Sequence, residues 1–133
     1  MNHDEAMAYL GANHRGVLAT IRRDGMPQLS HVSYALLDGR VAISVTQDRA
    51  KTRNARRDPR VVLSVVGDDW YRYVVAEGTA EIVEGEGVLA ELRRVYEAVT
   101  GAPHPDWDDF DAAMIRDRRC VLRFPVERLY PLT

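Results

Sequence analysis

Apolar and polar residues alternate along much of the chain, and a period of two predicts β-strands. The strand-like runs are residues 16–23, 27–37, 41–46, 60–66, 70–83 and 119–126. Asp24-Gly25 and Asp38-Gly39 separate the first three runs. Asp-Gly pairs favour tight hairpin turns because glycine accepts a positive φ. The pattern therefore predicts six mainly antiparallel strands, with a bulge or bend at Gly78.

Three or four short helices are predicted between the strands. Residues 2–13 and 86–100 carry apolar side chains at the spacing of an amphipathic helix. Asp106 is placed to cap a further helix over residues 107–118. We interpret the apolar stripe of residues 86–100 as core packing without chemistry. A closed or split barrel is the arrangement of so many short strands that leaves the fewest exposed edges.

Positive charge is concentrated in Asp48–Pro59, D-R-A-K-T-R-N-A-R-R-D-P, whose cations are Arg49, Lys51, Arg53, Arg56 and Arg57. Asp48 as N-cap and Asp58-Pro59 as a stop predict a short basic helix. A helix N-terminus offers free N–H groups and a positive dipole end, which favour a phosphate. A solvated charged face is the alternative that this segment alone leaves open.

Length and charge limit the remaining choices. The 133 residues predict one domain over residues 1–133. Eighteen Lys and Arg against 20 Asp and Glu give a net charge of −2, so the chain as a whole is not suited to coat nucleic acid. No apolar stretch approaches the roughly 20 residues that span a bilayer, and the N-terminus has no leader-like pattern. We therefore expect a cytoplasmic protein.

The sequence gives little support for a metal site or a catalytic nucleophile. The lone Cys120 excludes an intramolecular disulfide, and its apolar surroundings favour a buried thiol. The four histidines are scattered without metal-ligand spacing, so no metal site is predicted. Glycine-rich nucleotide loops and hydrolase motifs are absent from the sequence.

Polar positions on the second and third strands, Gln28, Ser30, Ser44 and Thr46, accompany the basic helix. Trp70, Tyr71 and Tyr73 open the fifth strand. Cations suit a phosphate, amides and hydroxyls suit the polar edge of a ring, and aromatic faces cover a ring. These features favour a site for a phosphorylated, planar aromatic ligand.

Five sequence motifs carry a resemblance to a known family. They are G-V-L-A-T-I-R-R-D-G-M-P-Q-L-S-H-V, R-A-K-T-R-N-A-R-R-D-P-R, V-A-E-G-T-A, H-P-D-W-D-D-F and D-R-R-C-V-L-R-F-P-V-E-R-L-Y. Together they resemble the pyridoxamine 5'-phosphate oxidase-like proteins, and more narrowly the actinobacterial branch that uses the deazaflavin coenzyme F420 instead of FMN. The resemblance covers essentially the whole chain. It implies a mainly β (α+β) fold, a six-stranded antiparallel split β-barrel with short flanking helices of the FMN-binding type. It also implies a homodimer with the cofactor at the subunit interface.

The resemblance implies roles for the basic helix. Lys51 matches the principal phosphate-contacting cation of the family. Arg49, Thr52, Arg53 and Asn54 belong to the same phosphate- and tail-binding motif.

It also implies contacts with the ring system. Gln28, Ser30 and His31 match the strand that lies along the ring, although the branch commonly has asparagine where His31 stands. Tyr71 and Tyr73 align with aromatic residues near the cofactor. An Arg-x-His element that grips the substrate phosphate in pyridoxamine-phosphate oxidation has no match in E-R-L-Y-P-L-T.

The function implied is a reductase that transfers hydride from reduced coenzyme F420 to an unsaturated small-molecule acceptor, such as a conjugated carbonyl or a tetrapyrrole. An FMN-dependent oxidoreductase and a non-catalytic flavin or deazaflavin carrier or sensor are the alternatives. We expect Arg53, Arg56, Arg57 and Arg60 to serve the acidic tail that distinguishes F420 from FMN. No residue is a convincing proton donor, so no catalytic residue is assigned.

Overall fold

A computed structural model describes residues 1–133 as nine strands and four helices. The helices are α1 (His3–Ala12), α2 (Ala50–Arg57), α3 (Val88–Thr100) and α4 (Trp107–Arg116). The strands are β1 (Arg15–Ile21), β2 (Pro27–Ser33), β3 (Ala35–Leu37), β4 (Arg40–Thr46), β5 (Arg60–Val66), β6 (Tyr73–Thr79), β7 (Glu81–Val83), β8 (Arg119–Pro125) and β9 (Arg128–Tyr130). None of the helices combines the length and apolar character that crossing a bilayer requires.

The strands form two antiparallel sheets, in the orders β2-β1-β5-β6-β9 and β3-β4-β8-β7. Two predicted strands continue from one sheet into the other, because the run 27–37 forms β2 and β3 and the run 70–83 includes β6 and β7. This confirms the six-stranded, antiparallel split barrel with short flanking helices. The short β9 has no counterpart among the predicted strands.

The bends lie at Tyr34 and Ala80, where the strand ladders are interrupted. Tyr34 is fully buried, its N–H donates to His14 O and its hydroxyl donates to Leu10 O. Ala80 N–H donates to Pro59 O at 2.7 Å. The bend predicted at Gly78 therefore occurs two residues later.

Gly78 has a different reason to be glycine. A Cβ built there would lie 2.6 Å from Phe124 Cδ2 and still closer to Pro125 O, so β6 and β8 approach too closely for any side chain. The run 70–83 also begins later than predicted, since Trp70 lies in a turn and β6 starts at Tyr73.

The main core lies between the two sheets and holds 17 buried residues. Leu18, Leu63 and Val74 from one sheet meet Ile43 and Phe124 from the other. Removing these side chains from water is the main stabilising term, at roughly 25 cal/mol per Å² of apolar surface. This core fixes the strand ends around which the site is built.

The outer faces of the two sheets differ. Helices α3 and α4 cover the four-stranded sheet through a second cluster that includes Ala42, Val121, Leu92 and Phe110. As predicted, Asp106 caps α4 by accepting a hydrogen bond from the Asp109 N–H at 3.1 Å.

The five-stranded sheet has an accessible outer face. Leu29, Val66 and Tyr73 are exposed there by 67%, 37% and 41%. Ser64, at the centre of β5, is also exposed and lies between Val17 on β1 and Val75 on β6. The barrel thus has one apolar sheet face covered by its own helices and one that its own helices leave accessible.

Candidate functional site

The basic helix α2 follows β4 after one turn. Its N-cap is Arg49 in an extended conformation, and no side chain caps the helix. The prediction of Asp48 as N-cap was therefore wrong. Arg49 N–H donates to Thr46 O in the intervening turn, which places Asp48 outside the capping position. The predicted end is confirmed, because Asp58 is the C-cap and its N–H bonds Asn54 O at 2.8 Å.

Thr52 attaches the first turn of α2 to β4. Its side chain is fully buried, and its hydroxyl donates to Thr46 O at 2.7 Å. This contact uses the only proton of the hydroxyl, so Thr52 holds the helix in place beside the strand end.

Asn54 attaches the same helix to the other sheet. Its Nδ2 donates to Gln28 Oε1 at 2.8 Å and to Thr20 Oγ1 at 3.2 Å, and its Oδ1 accepts from Arg57 at 3.1 Å. Buried amides cost stability when they lack partners, so this set of bonds fixes the helix against β1 and β2. Both Asn54 and Gln28 are engaged by protein groups.

These contacts hold the N-terminus of α2 at one end of a cavity of about 510 Å³. Five residues predicted for the cofactor line it: His31, Ser44, Thr46, Arg49 and Lys51. The opposite wall comes from α3 and α4 and includes Val95, Tyr96, Val99, Phe110 and Met114. One cavity thus combines a cationic end with an apolar wall.

Three cations meet at the polar end, Arg49, Lys51 and Arg119, and none of them forms an ion pair. Burial and the charges of Arg49 and Arg119 lower the pKa of Lys51. The Thr46 hydroxyl lies near the Asp48 carboxyl and lowers its pKa. The two groups are not positioned to form a hydrogen bond, so Thr46 Oγ1 has no partner. Like charges held together in a half-buried cavity are stabilised by a bound anion.

Three other cations in or near α2 have protein partners. Arg56 lies 3.0 Å from Glu84, and Arg60 lies 2.7 Å from Asp58. Arg57 donates to Ile21 O at 2.7 Å. Arg53 is exposed and has no ion pair or side-chain hydrogen bond. The basic segment therefore consists of an engaged C-terminal part and an unpaired N-terminal part.

A second cavity, of about 540 Å³, lies over the outer face of the five-stranded sheet. Its lining includes Ser64, Val66 and Trp70, and it shares His31 and Ser33 with the first cavity. The end of β2 is thus a ridge between the two cavities, along which a flat ligand could extend.

The remaining predicted residues lie outside both cavities. Tyr71 and Tyr73 are exposed by 88% and 41%. Ser30 is half-buried on β2, and Gln28 faces Asn54. The structure does not bring these residues to the cationic end, and their contacts with a cofactor stay predictions.

Two features of the cavity were missed from the sequence. Arg119 was assigned only to a strand, yet the register Thr46↔Arg119 brings it to the cationic end. The apolar stripe of α3 does pack on the sheet as predicted, but Leu92 and Tyr96 also line the cavity. Tyr96 is fixed by edge-on contact with Phe110, at a ring-centroid distance of 5.4 Å.

The cysteine and histidine predictions concern groups outside the cationic end. Cys120 is fully buried as predicted, and burial raises the pKa of its thiol. The structure gathers no set of three His, Cys, Asp or Glu side chains that could hold a metal ion.

Comparison with known proteins adds a family to this geometry. The sequence profile described as "Pyridoxamine 5'-phosphate oxidase" matches residues 3–132, and the chain belongs to that family. The F420H(2)-dependent biliverdin reductase of Mycobacterium tuberculosis (strain CDC 1551 / Oshkosh) is 30% identical over 131 residues, covering 95% of this chain and 85% of that protein.

Two solved structures are also similar to this chain. A conserved hypothetical protein from Mycobacterium tuberculosis shares 33% identity with a TM-score of 0.78, over 97% of this chain and 82% of that one. An F420 reductase shares 26% identity with a TM-score of 0.71, over 92% of this chain and 94% of that one. These relatives confirm the resemblance to the F420-dependent branch of the family.

The bonds of Asn54 generate a test of its role. Asn54→Ala removes the hydrogen bonds that join α2 to β1 and β2, and we expect the free energy of unfolding to fall by about 1–3 kcal/mol. Arg53→Ala, at the exposed neighbouring position, should change it by less than about 0.5 kcal/mol. Urea denaturation of both variants measures the difference, and equal stabilities would contradict the structural role of Asn54.

Proposed function

We propose that the protein is a coenzyme F420-dependent reductase that transfers hydride from the reduced deazaflavin to an unsaturated small-molecule acceptor. The observation that carries the proposal is the convergence of Arg49, Lys51 and Arg119 without an ion pair at one end of a cavity. The F420-dependent relative described above supports the choice of cofactor and of reaction.

The residues at the cationic end are suited to a phosphate. Lys51 and Arg49 supply positive charge and N–H donors, and Thr46 offers a hydroxyl without a partner. Such charge-assisted hydrogen bonds are about twice as strong as neutral ones. Phosphate binding would also offset the repulsion among the cations.

The rest of the cavity is suited to an uncharged, largely apolar body. The side chains of Val95, Val99, Phe110 and Met114 exclude water from one wall. When bound, the deazaflavin supplies the hydride chemistry, and the protein supplies position and electrostatics. His31 and Ser33 on the ridge of β2 would orient the ring between the two cavities. We assign no catalytic acid and propose that solvent protonates the product.

The acidic tail of F420 has fewer free cations available than the sequence suggests. Arg56, Arg57 and Arg60 already have protein partners. We propose that Arg53, which is exposed and unpaired, contacts the acidic tail of F420.

Paired titrations of the apoprotein with F420 and FMN test the proposal. We expect F420 to bind more tightly than FMN. Lys51→Ala should weaken both by at least about tenfold, because each loses a hydrogen bond to a charged group worth about 1.5–3 kcal/mol. Arg53→Glu should weaken F420 much more than FMN, since it places a negative charge beside the tail. Ligand fluorescence measures all the affinities.

Arg60→Ala is the matched control, because Arg60 lies outside the cavity and pairs with Asp58. Tighter binding of FMN than of F420 would assign the protein to the FMN-dependent alternative. Tight F420 binding without turnover of enones, quinones or tetrapyrroles would favour the carrier or sensor. Binding of neither cofactor would contradict the proposed function.

We further propose that the protein is a homodimer that associates through the outer face of the five-stranded sheet. Exposed apolar side chains, including Leu29, Val66 and Trp70, support this choice of face. The second cavity lies on the same face, so a partner subunit would cover it and complete the binding site beside His31.

Ser64→Glu tests the proposed interface. Ser64 is exposed at the centre of the face, so glutamate should leave the monomer folded but place an unpaired charge in the interface. Sedimentation velocity should show a dimer for the wild type and for Ser64→Ala, and a monomer with weaker F420 binding for Ser64→Glu. A monomeric wild type, or a dimeric Ser64→Glu variant, would contradict this interface.

A further inference from the structure

Arg119 is the cation of the cavity that comes from outside the basic helix. It opens β8 and lies across from Thr46 in the β4–β8 ladder. Its single hydrogen bond to the protein runs from Nη1 to Ser44 O, at 3.3 Å. Arg119 thereby lines the first cavity together with Arg49 and Lys51, the residues at the N-terminus of α2.

Arg123 on the same strand shows how a structural arginine is satisfied in this fold. Both residues lie on the β8 face that α3 and α4 cover, because alternate residues of a strand share a face. Arg123 donates from Nη1 to Glu91 at 2.8 Å and from Nε to Glu81. Arg119 meets no carboxylate, so its charge has no counterpart within the protein.

The hydrogen-bond donors of Arg119 are also not all paired. Its Nε is buried and has no hydrogen-bond partner. Burial, the charge of Arg49 and the charge of Arg119 lower the pKa of Lys51, as expected where like charges lie close together. A buried unpaired donor and neighbouring like charges are each unfavourable unless an anion is bound. An anion between the two side chains relieves the repulsion and can approach the guanidinium of Arg119.

We propose that Arg119 is an anion-binding residue, and that the ligand phosphate lies between its guanidinium and the ammonium group of Lys51. This inference rests on the proposed function for the presence of a phosphate, and is independent of hydride transfer. The phosphate would thereby join α2 to β8.

The test compares Arg119→Met with Arg123→Met by thermal denaturation, with and without inorganic phosphate, and by F420 titration. Arg119→Met should leave the Tm in phosphate-free buffer unchanged or higher, because it removes a repulsive charge. It should also lose most of the phosphate-induced rise in Tm and bind F420 at least about tenfold more weakly. Arg119→Lys, which retains the charge, should recover part of both losses.

Arg123→Met should show the reverse pattern. It leaves Glu81 and Glu91 without this cation, so the Tm should fall while the phosphate response remains. A structural role for Arg119 predicts instead that both variants lower the Tm and keep their ligand responses, which would overturn the inference.

Lys51→Ala separates this inference from the proposed function. Loss of F420 binding in Lys51→Ala with full binding in Arg119→Met would overturn the role of Arg119 and leave the proposed function standing. A wild-type protein that responds to neither phosphate nor F420 would overturn both.

Discussion

The repulsion among Arg49, Lys51 and Arg119 is the constraint on which the candidate site depends. Isolated cations turn away from one another into water, where their charges are screened. Here the fold limits that for Lys51 and Arg119, which are half-buried and project from the first turn of a helix and from a strand end that buried contacts fix in place. The bond from Thr52 to Thr46 O and the contacts of Asn54 hold α2, while the ladder between β4 and β8 holds Arg119.

The two sheets also differ in how their outer faces are covered. Helices α3 and α4 cover one sheet and leave an apolar wall opposite the cations. The other sheet leaves apolar side chains accessible beside a second cavity that shares the end of β2. A split barrel hosts many functions, so the fold alone does not choose among them. The choice proposed here depends on where charge lacks a partner and on where apolar surface remains accessible.

Local patterns explain which features the sequence could predict. Alternation and the two Asp-Gly turns gave the six strands because hairpins are encoded by neighbouring residues. The bends at Tyr34 and Ala80 depend on distant partners, His14 and Leu10 for the one and Pro59 for the other, which no local pattern contains. Arg119 was missed for the same reason, since its place in the cavity follows from strand register. The period of α3 predicted a buried face without showing that part of it borders a cavity.

A crystal structure of the complex with F420 tests the central claim most directly. We predict that the phosphate oxygens lie about 3 Å from Lys51 Nζ and from the guanidinium of Arg119, the range of charge-assisted hydrogen bonds. We also predict that the ring extends along the end of β2 near His31. A phosphate bound elsewhere, with these cations still unpaired or paired with a carboxylate of a partner subunit, would contradict it.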